Sequence, residues 1–101
     1  MKLKIDTIKA EGKITFKLKG QLNISTYLQL QELLIPAFDE ASSIELDFTE
    51  LRFFTSDGFK PLLAGMKKSK ETGVPMALSH VSKDIMEILR MTGFAAELSF
   101  V

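Results

Sequence analysis

Cysteine is absent, which excludes disulfide scaffolds, cysteine-ligated metal ribbons and thiol nucleophiles. The single histidine, His80, excludes multi-histidine metal sites. No stretch approaches the roughly 18 apolar residues that a membrane-spanning helix needs. Met1 to Lys19 mixes lysines with single apolar residues and lacks the apolar run of a secretory leader. Neither sign of charge is in excess: 13 Lys+Arg offset 13 Asp+Glu, for a net charge of zero. A nucleic-acid binder is therefore disfavoured, because phosphate neutralisation drives most of that affinity. What is present is an ordinary globular balance, 46% hydrophobic and 26% charged over 101 residues. That is enough for one packed domain and too little for two. The expectation is a single cytoplasmic domain over residues 1–101, with no membrane insertion and no cofactor.

Hydropathy periodicity sets the order of elements. Residues 2–8 alternate, with Leu3 and Ile5 opposite Lys2, Lys4 and Asp6, and predict a half-buried strand. Glu11-Gly12 punctuates a hairpin. Residues 13–19 alternate more clearly, Ile14, Phe16 and Leu18 against Lys13, Thr15, Lys17 and Lys19. The lysines read as a solvated sheet face that also discourages edge-to-edge association.

A first helix is expected after Gly20-Gln21-Leu22-Asn23. Ser25 would be its N-cap, and Leu28, Leu30, Leu33, Leu34, Ala37 and Phe38 its apolar set, with Pro36 bending or shortening its end. Residues 44–48 predict a short strand, and Thr49 to Asp57 a loop. A second helix runs from about Gly58 to Glu71, with Pro61 in its first turns and Gly73 beyond its end. Residues 74–79 predict a strand. Ser82 caps a third helix that ends at Gly93, and Leu98 and Phe100 mark a last short strand. The order is β-β-α-β-α-β-α-β. It predicts an α/β fold, a mixed β-sheet with helices packed on one face.

In such sheets ligands and switches gather where strands end at their carboxyl side. The loop Phe53-Phe54-Thr55-Ser56-Asp57-Gly58-Phe59 occupies that place. Two readings of it stand side by side. Ser56 is simply a helix cap, with Asp57 supporting the dipole. Alternatively, the unpaired N–H groups of the helix start make the tip a place for a phosphate, with Gly58 permitting close backbone approach. The three phenylalanines are core anchors unless one is exposed, in which case it becomes a contact residue for a partner. A Ser56–His80 catalytic pair with Asp57 is set aside, because neighbours on one turn rarely give a triad's geometry. Paired carboxylates at Glu45 and Asp47 are weaker still, and no Gly-rich phosphate cradle is present.

Leu46-Asp47-Phe48-Thr49-Glu50-Leu51-Arg52-Phe53-Phe54-Thr55-Ser56-Asp57-Gly58-Phe59 resembles the signature of STAS domains, the anti-sigma factor antagonists. That signature is an apolar strand with Asp, an apolar pair, then Asp-Ser-Ser/Thr-Gly and an apolar residue. Gly20-Gln21-Leu22-Asn23 with Thr26 is similar to the family's Gly-x-Leu-Asp…Thr turn. Ile88-Leu89-Arg90-Met91-Thr92-Gly93-Phe94 resembles its apolar helix end followed by Gly.

The resemblance implies a regulatory protein-binding module and no enzyme. Such a module binds an anti-sigma factor, often a serine kinase, and so frees a sigma factor. The kinase phosphorylates the first serine of the motif, the modified antagonist lets go, and a phosphatase resets it. By position the phosphorylated serine falls on Ser56. The partner-binding residues fall on Asn23, Thr26, Thr55, Asp57, Gly58 and Phe59.

Three positions depart from the pattern: Thr55 stands for Asp, Asp57 for Ser or Thr, and Asn23 for Asp. Negative charge beside Ser56 is kept but moved one residue along. The alternative function is a scaffold subunit that is never phosphorylated and is bound to a transporter ATPase or another partner, as some lone STAS domains are.

Overall fold

Alternation in the first twenty residues does build a hairpin. In the computed structural model, which describes residues 2–101, β1 (Leu3–Ala10) pairs antiparallel with β2 (Lys13–Leu22). Glu11 and Gly12 join them with φ of 53° and 84°. Two successive positive φ angles give the turn whose twist matches that of the flanking strands. Ile14, Phe16 and Leu18 are buried, while Lys13 and Lys17 face solvent on the other side of the sheet.

Two parallel strands extend this hairpin. β2 pairs with β3 (Ser43–Phe54) and β3 with β4 (Met76–Ser79), so the sheet runs β1-β2-β3-β4. Parallel neighbours need crossovers. Helix α1 (Tyr27–Ala37) supplies the first and α2 (Phe59–Thr72) the second, and the two pack on each other. Helix α3 (Lys83–Met91) follows β4. Ile14, Phe16, Leu18, Ile44, Leu46, Phe48 and Leu78 from the strands meet Leu30, Leu34, Leu62, Ile85 and Leu89 from the helices in one core. The expected α/β class, mixed sheet and element order as far as α3 are those of the structure.

Several boundaries are corrected. The expected loop Thr49–Asp57 is strand as far as Phe54. Its burial steps by two through Ile44, Leu46 and Phe48, then by three to Leu51 and Phe54. The register against β2 explains the change. Lys17 pairs with Asp47 but Lys19 with Glu50, and Gly20 pairs with Leu51 but Gln21 with Phe53. Each jump is a bulge that inserts one extra residue into β3. Two bulges erase the period of two by which a strand is recognised. The Asp47 carboxylate accepts hydrogen bonds from both the N–H and the hydroxyl of Thr49, which holds the chain at the first bulge.

Other departures are smaller. The N-cap position of α1 is Thr26, not Ser25, and no side chain caps it. Leu28 and Leu33, expected inside, are exposed. Pro36 falls in the last turn of α1, where it offers no N–H to the carbonyl four residues back, and the helix ends one residue later. Ser82 does cap α3, its Oγ accepting from the N–H of Ile85 at 3.2 Å. The expected last strand is a single bridge between Leu78 and Phe100, preceded by a 3-10 turn at Ala95–Glu97.

Candidate functional site

The carboxyl ends of β2 and β3 lie side by side, because Leu22 is in register with Phe54. One more backbone bond, from Thr55 N–H to the Leu22 carbonyl at 3.1 Å, carries the pairing past the end of β3. The chain then turns through a 3-10 segment, Ser56–Gly58, straight into α2.

Gly58 is buried where this turn meets β2. A Cβ there would lie 3.0 Å from Leu22 Cγ, from the Leu22 carbonyl oxygen and from Phe54 Cε1. Its φ is that of an ordinary helical residue (−63°), so close approach and not backbone handedness is what a side chain would upset. Thr55 and Ser56 are exposed, and neither the Thr55 N-cap nor any other side chain caps the turn. The expectation that Ser56 caps a helix is thus corrected. Its hydroxyl stands at the solvent surface, one residue inside the turn.

The loop after β2 is tied to the same end by a small network. Asn23 Oδ1 accepts from the Ser25 N–H at 2.9 Å. Thr26 Oγ1 accepts from the Asn23 N–H and donates to the Gln21 carbonyl, each at 2.9 Å. Thr26 is only 6% exposed, so its hydroxyl shapes the turn from within. Phe59 is likewise an interior residue, 5% exposed, with its ring 5.4 Å from that of Phe94. Thr55, Ser56, Asp57 and Asn23 supply the polar surface at this end, Thr55 and Ser56 the most exposed of them.

Of the loop phenylalanines Phe54 is core and Phe53 is 56% exposed. Ile24 and Leu28, near the end of β2, are exposed apolar neighbours of the same loop region. Sequence reasoning passed over Tyr27. The Lys60 ammonium lies 4.9 Å from its ring centroid and 3.3 Å from Asp57 Oδ1. Nothing local in the sequence joins Tyr27 to Asp57 and Lys60, which are themselves three residues apart. The contact exists because α1 and α2 pack together.

A second polar group lies on the solvent face of the sheet. Glu45 accepts from the buried Ser79 hydroxyl at 2.6 Å and pairs with Lys13 at 2.6 Å. These bonds, that of Lys13 foremost, hold its carboxyl below the ordinary value of 4.5. Asp47 is desolvated by burial, which pushes its carboxyl up. The two bonds from Thr49, with His80 and Lys17 nearby, outweigh this and hold it below 3.8. His80 Nδ1 lies 3.7 Å from Asp47. Ser79 is in register with Asp47, seven residues short of Phe54, so His80 sits roughly 20 Å along the strand from the Ser56 turn. The two do not form a catalytic pair. Among the described residues no cluster of acidic or histidine side chains could hold a metal ion.

The lowered carboxyls contribute to the acid sensitivity of the fold. A group whose folded value is depressed adds stability above its unfolded value, and that stability is lost as pH falls through the folded one. Glu45 and Asp47 should therefore leave the melting temperature unaffected from pH 7 to about 5. Their contribution should drain away below pH 4.5 and 3.8 respectively. Asp47→Asn keeps an oxygen for Thr49 and removes the proton. Calorimetry on this variant from pH 7 downwards should show a shallower acid limb than the parent.

A mixed four-stranded α/β module, with an exposed hydroxyl loop where two parallel strands end, is what the fold and the site define. The family model described as the STAS domain matches residues 4–100. The chain belongs to the STAS domain family. No curated relative matches it.

Among solved structures it is similar to an anti-sigma factor antagonist from Mycobacterium paratuberculosis. There the identity is 18% and the TM-score 0.85, over 98% of this chain and 85% of that one. The anti-sigma factor antagonist SpoIIAA, in its unphosphorylated form, superposes with a TM-score of 0.80 at 16% identity, covering 99% and 88%. The phosphorylated form of SpoIIAA, described as a Bacillus cell fate determinant, gives 0.75 at 16% identity, covering 99% and 91%. A sulfate transporter family protein from Wolinella succinogenes gives 0.76 at 18% identity, covering 92% and 80%. At these identities the likeness is one of fold. Among the described residues no helix is long and apolar enough to cross a membrane.

Proposed function

We propose that the chain is a cytoplasmic regulatory binding module, an anti-sigma factor antagonist that works by partner switching under phosphorylation of Ser56. It is read as one domain, acting as no enzyme. The observation that carries this reading is the exposed Ser56 on a tight turn, with exposed Thr55 before it and Asn23 at the adjoining end of β2. A serine there is reachable by a kinase, and its neighbours form a surface that a protein can cover. Transfer of the γ-phosphoryl group of ATP to Ser56 Oγ forms the new P–O bond, releases ADP and gives up the hydroxyl proton. It adds about 1.5–2 negative charges in the middle of that surface. The partners are an anti-sigma factor or serine kinase of the sigma-regulating type and a phosphatase that restores the hydroxyl. Asn23, Thr55 and Asp57 supply contacts, while Thr26, Gly58 and Phe59 support them from inside.

Incubation with the cognate kinase and ATP should place one phosphate on Ser56 by mass spectrometry, and Ser56→Ala should abolish it. An unmodified Ser56 beside a kinase shown to be active on another antagonist overturns the phosphoswitch. Two observations favour a second reading, a scaffold subunit of a transporter ATPase that is never phosphorylated: the likeness to the sulfate transporter family protein and the fixed acid, Asp57, after the serine. A pull-down that recovers an ATPase and no sigma regulator supports that reading instead.

A further inference from the structure

Asp57 poses a problem for any switch based on charge. A carboxylate next to Ser56 resembles the modification itself and would bias the loop toward its phosphorylated behaviour. The structure contains a counterweight. The Lys60 ammonium is 3.3 Å from Asp57 Oδ1, and the same ammonium lies over the ring of Tyr27 at 4.9 Å. Both side chains of the ion pair retain solvent contact, at 54% and 31% exposure, so the pair is held loosely and can exchange partners.

The backbone places Ser56 within the reach of the same lysine. Residues 56–58 form a 3-10 turn, and Gly58 and Phe59 have helical angles. The chain is therefore helical without a break from Ser56 to Lys60. Lys60 stands three residues beyond Asp57 and four beyond Ser56, the two spacings that bring side chains together on a helix. The turn of three residues per revolution widens the angle between Ser56 and Asp57, so that Lys60 falls between them.

We propose that Lys60 is the shared counter-ion of this loop: it neutralises Asp57 while Ser56 is unmodified and moves to the phosphate once Ser56 carries one, leaving the Tyr27 ring. The inference rests on Ser56 being the modified residue. It adds the element that distinguishes a fixed carboxylate from an arriving phosphate. A dianion with three acceptor oxygens outcompetes a single carboxylate for one ammonium. Before modification the loop presents a neutral Asp57–Lys60 pair and a covered aromatic ring. After modification it presents a phosphate–lysine pair, a bare Asp57 and an uncovered Tyr27. Lys60 is thus a positioning residue, acting through the charge it donates.

The test installs phosphoserine at position 56 during translation, so that it needs no kinase. Phosphorus NMR then follows the phosphate's second ionisation in the parent, in Lys60→Met and in Lys60→Arg. A nearby cation lowers an acid's pKa, by 1–3 units when well enclosed and less at an exposed site. The parent should ionise about half a unit lower than Lys60→Met, and Lys60→Arg should restore the parent value.

Tyr27 is the only tyrosine and there is no tryptophan, so tyrosine emission reports this ring alone. Emission should change on phosphorylation in the parent and stay constant in Lys60→Met. Superimposable phosphate titrations in parent and Lys60→Met overturn the proposal and leave Ser56 intact as a phosphosite. A failed kinase assay, conversely, does not affect this measurement. Lys60 is exposed, so the variants are expected to fold.

Discussion

Phe48→Ala is expected to destabilise the protein by about 3–5 kcal/mol, the usual cost of removing a buried phenylalanine. Phe48 is 1% exposed, and its ring lies 6.4 Å from that of Phe54. It stands where β3 passes from its regular half, paired on both sides, to its bulged half, paired with β2 alone. The ring therefore fills the core under the stretch that leads to the Ser56 turn. For a domain of this size each kcal/mol shifts the melting temperature by about 4–8 °C, so the midpoint should drop by tens of degrees. Guanidinium unfolding should show a lower midpoint with an unchanged slope. Phe53→Ala, five residues on and exposed, should stay within about 0.5 kcal/mol of the parent. If the two substitutions cost the same, the assignment of Phe48 to the core and Phe53 to the surface is wrong. Phe48→Leu guards against a chain that fails to fold and should fall between them.

The second large effect is expected in binding and not in stability. With phosphoserine at position 56, affinity for the cognate anti-sigma factor should fall more than a hundredfold by calorimetric titration, which corresponds to about 3 kcal/mol. Stability should move little, because Ser56 and Thr55 are exposed and no side chain depends on the hydroxyl to cap the turn. On the proposed switching, the loss would come from desolvating a dianion where the unmodified chain offers a neutral hydroxyl. Ser56→Ala should bind as tightly as the parent and ignore the kinase. Equal affinity of the phosphorylated and unmodified chains would remove partner switching from the account while leaving the fold assignment untouched.

The bulges of β3 bear on both expectations. A period of two places Phe48 inside and would also place Phe54 inside, but it would put Leu51 on the wrong face. The first bulge shifts the phase so that Leu51 turns into the core, and the second shifts it back so that Phe54 stays inside and Phe53 outside. The same insertions put Thr55, two residues later than an unbroken register would, against the Leu22 carbonyl. The polar loop then emerges beside Asn23 and not further down the sheet.

Short-range chemistry along the chain was enough to establish much of this protein. The alternation of residues 13–19, the turn at Glu11-Gly12 and the cap at Ser82 each depend on neighbours a few residues apart, and each is found as expected. The resemblance to the STAS family likewise rested on contiguous strings, and the family match over residues 4–100 agrees with it. Contacts between distant segments decided the rest. Exposure of Phe53, reduction of the last strand to one bridge and the meeting of Tyr27 with Lys60 all follow from how sheet and helices close on one another. Periodicity states which face of an element is apolar. Which side chains at its ends are covered, and by what, depends on a neighbour that lies tens of residues away in the chain.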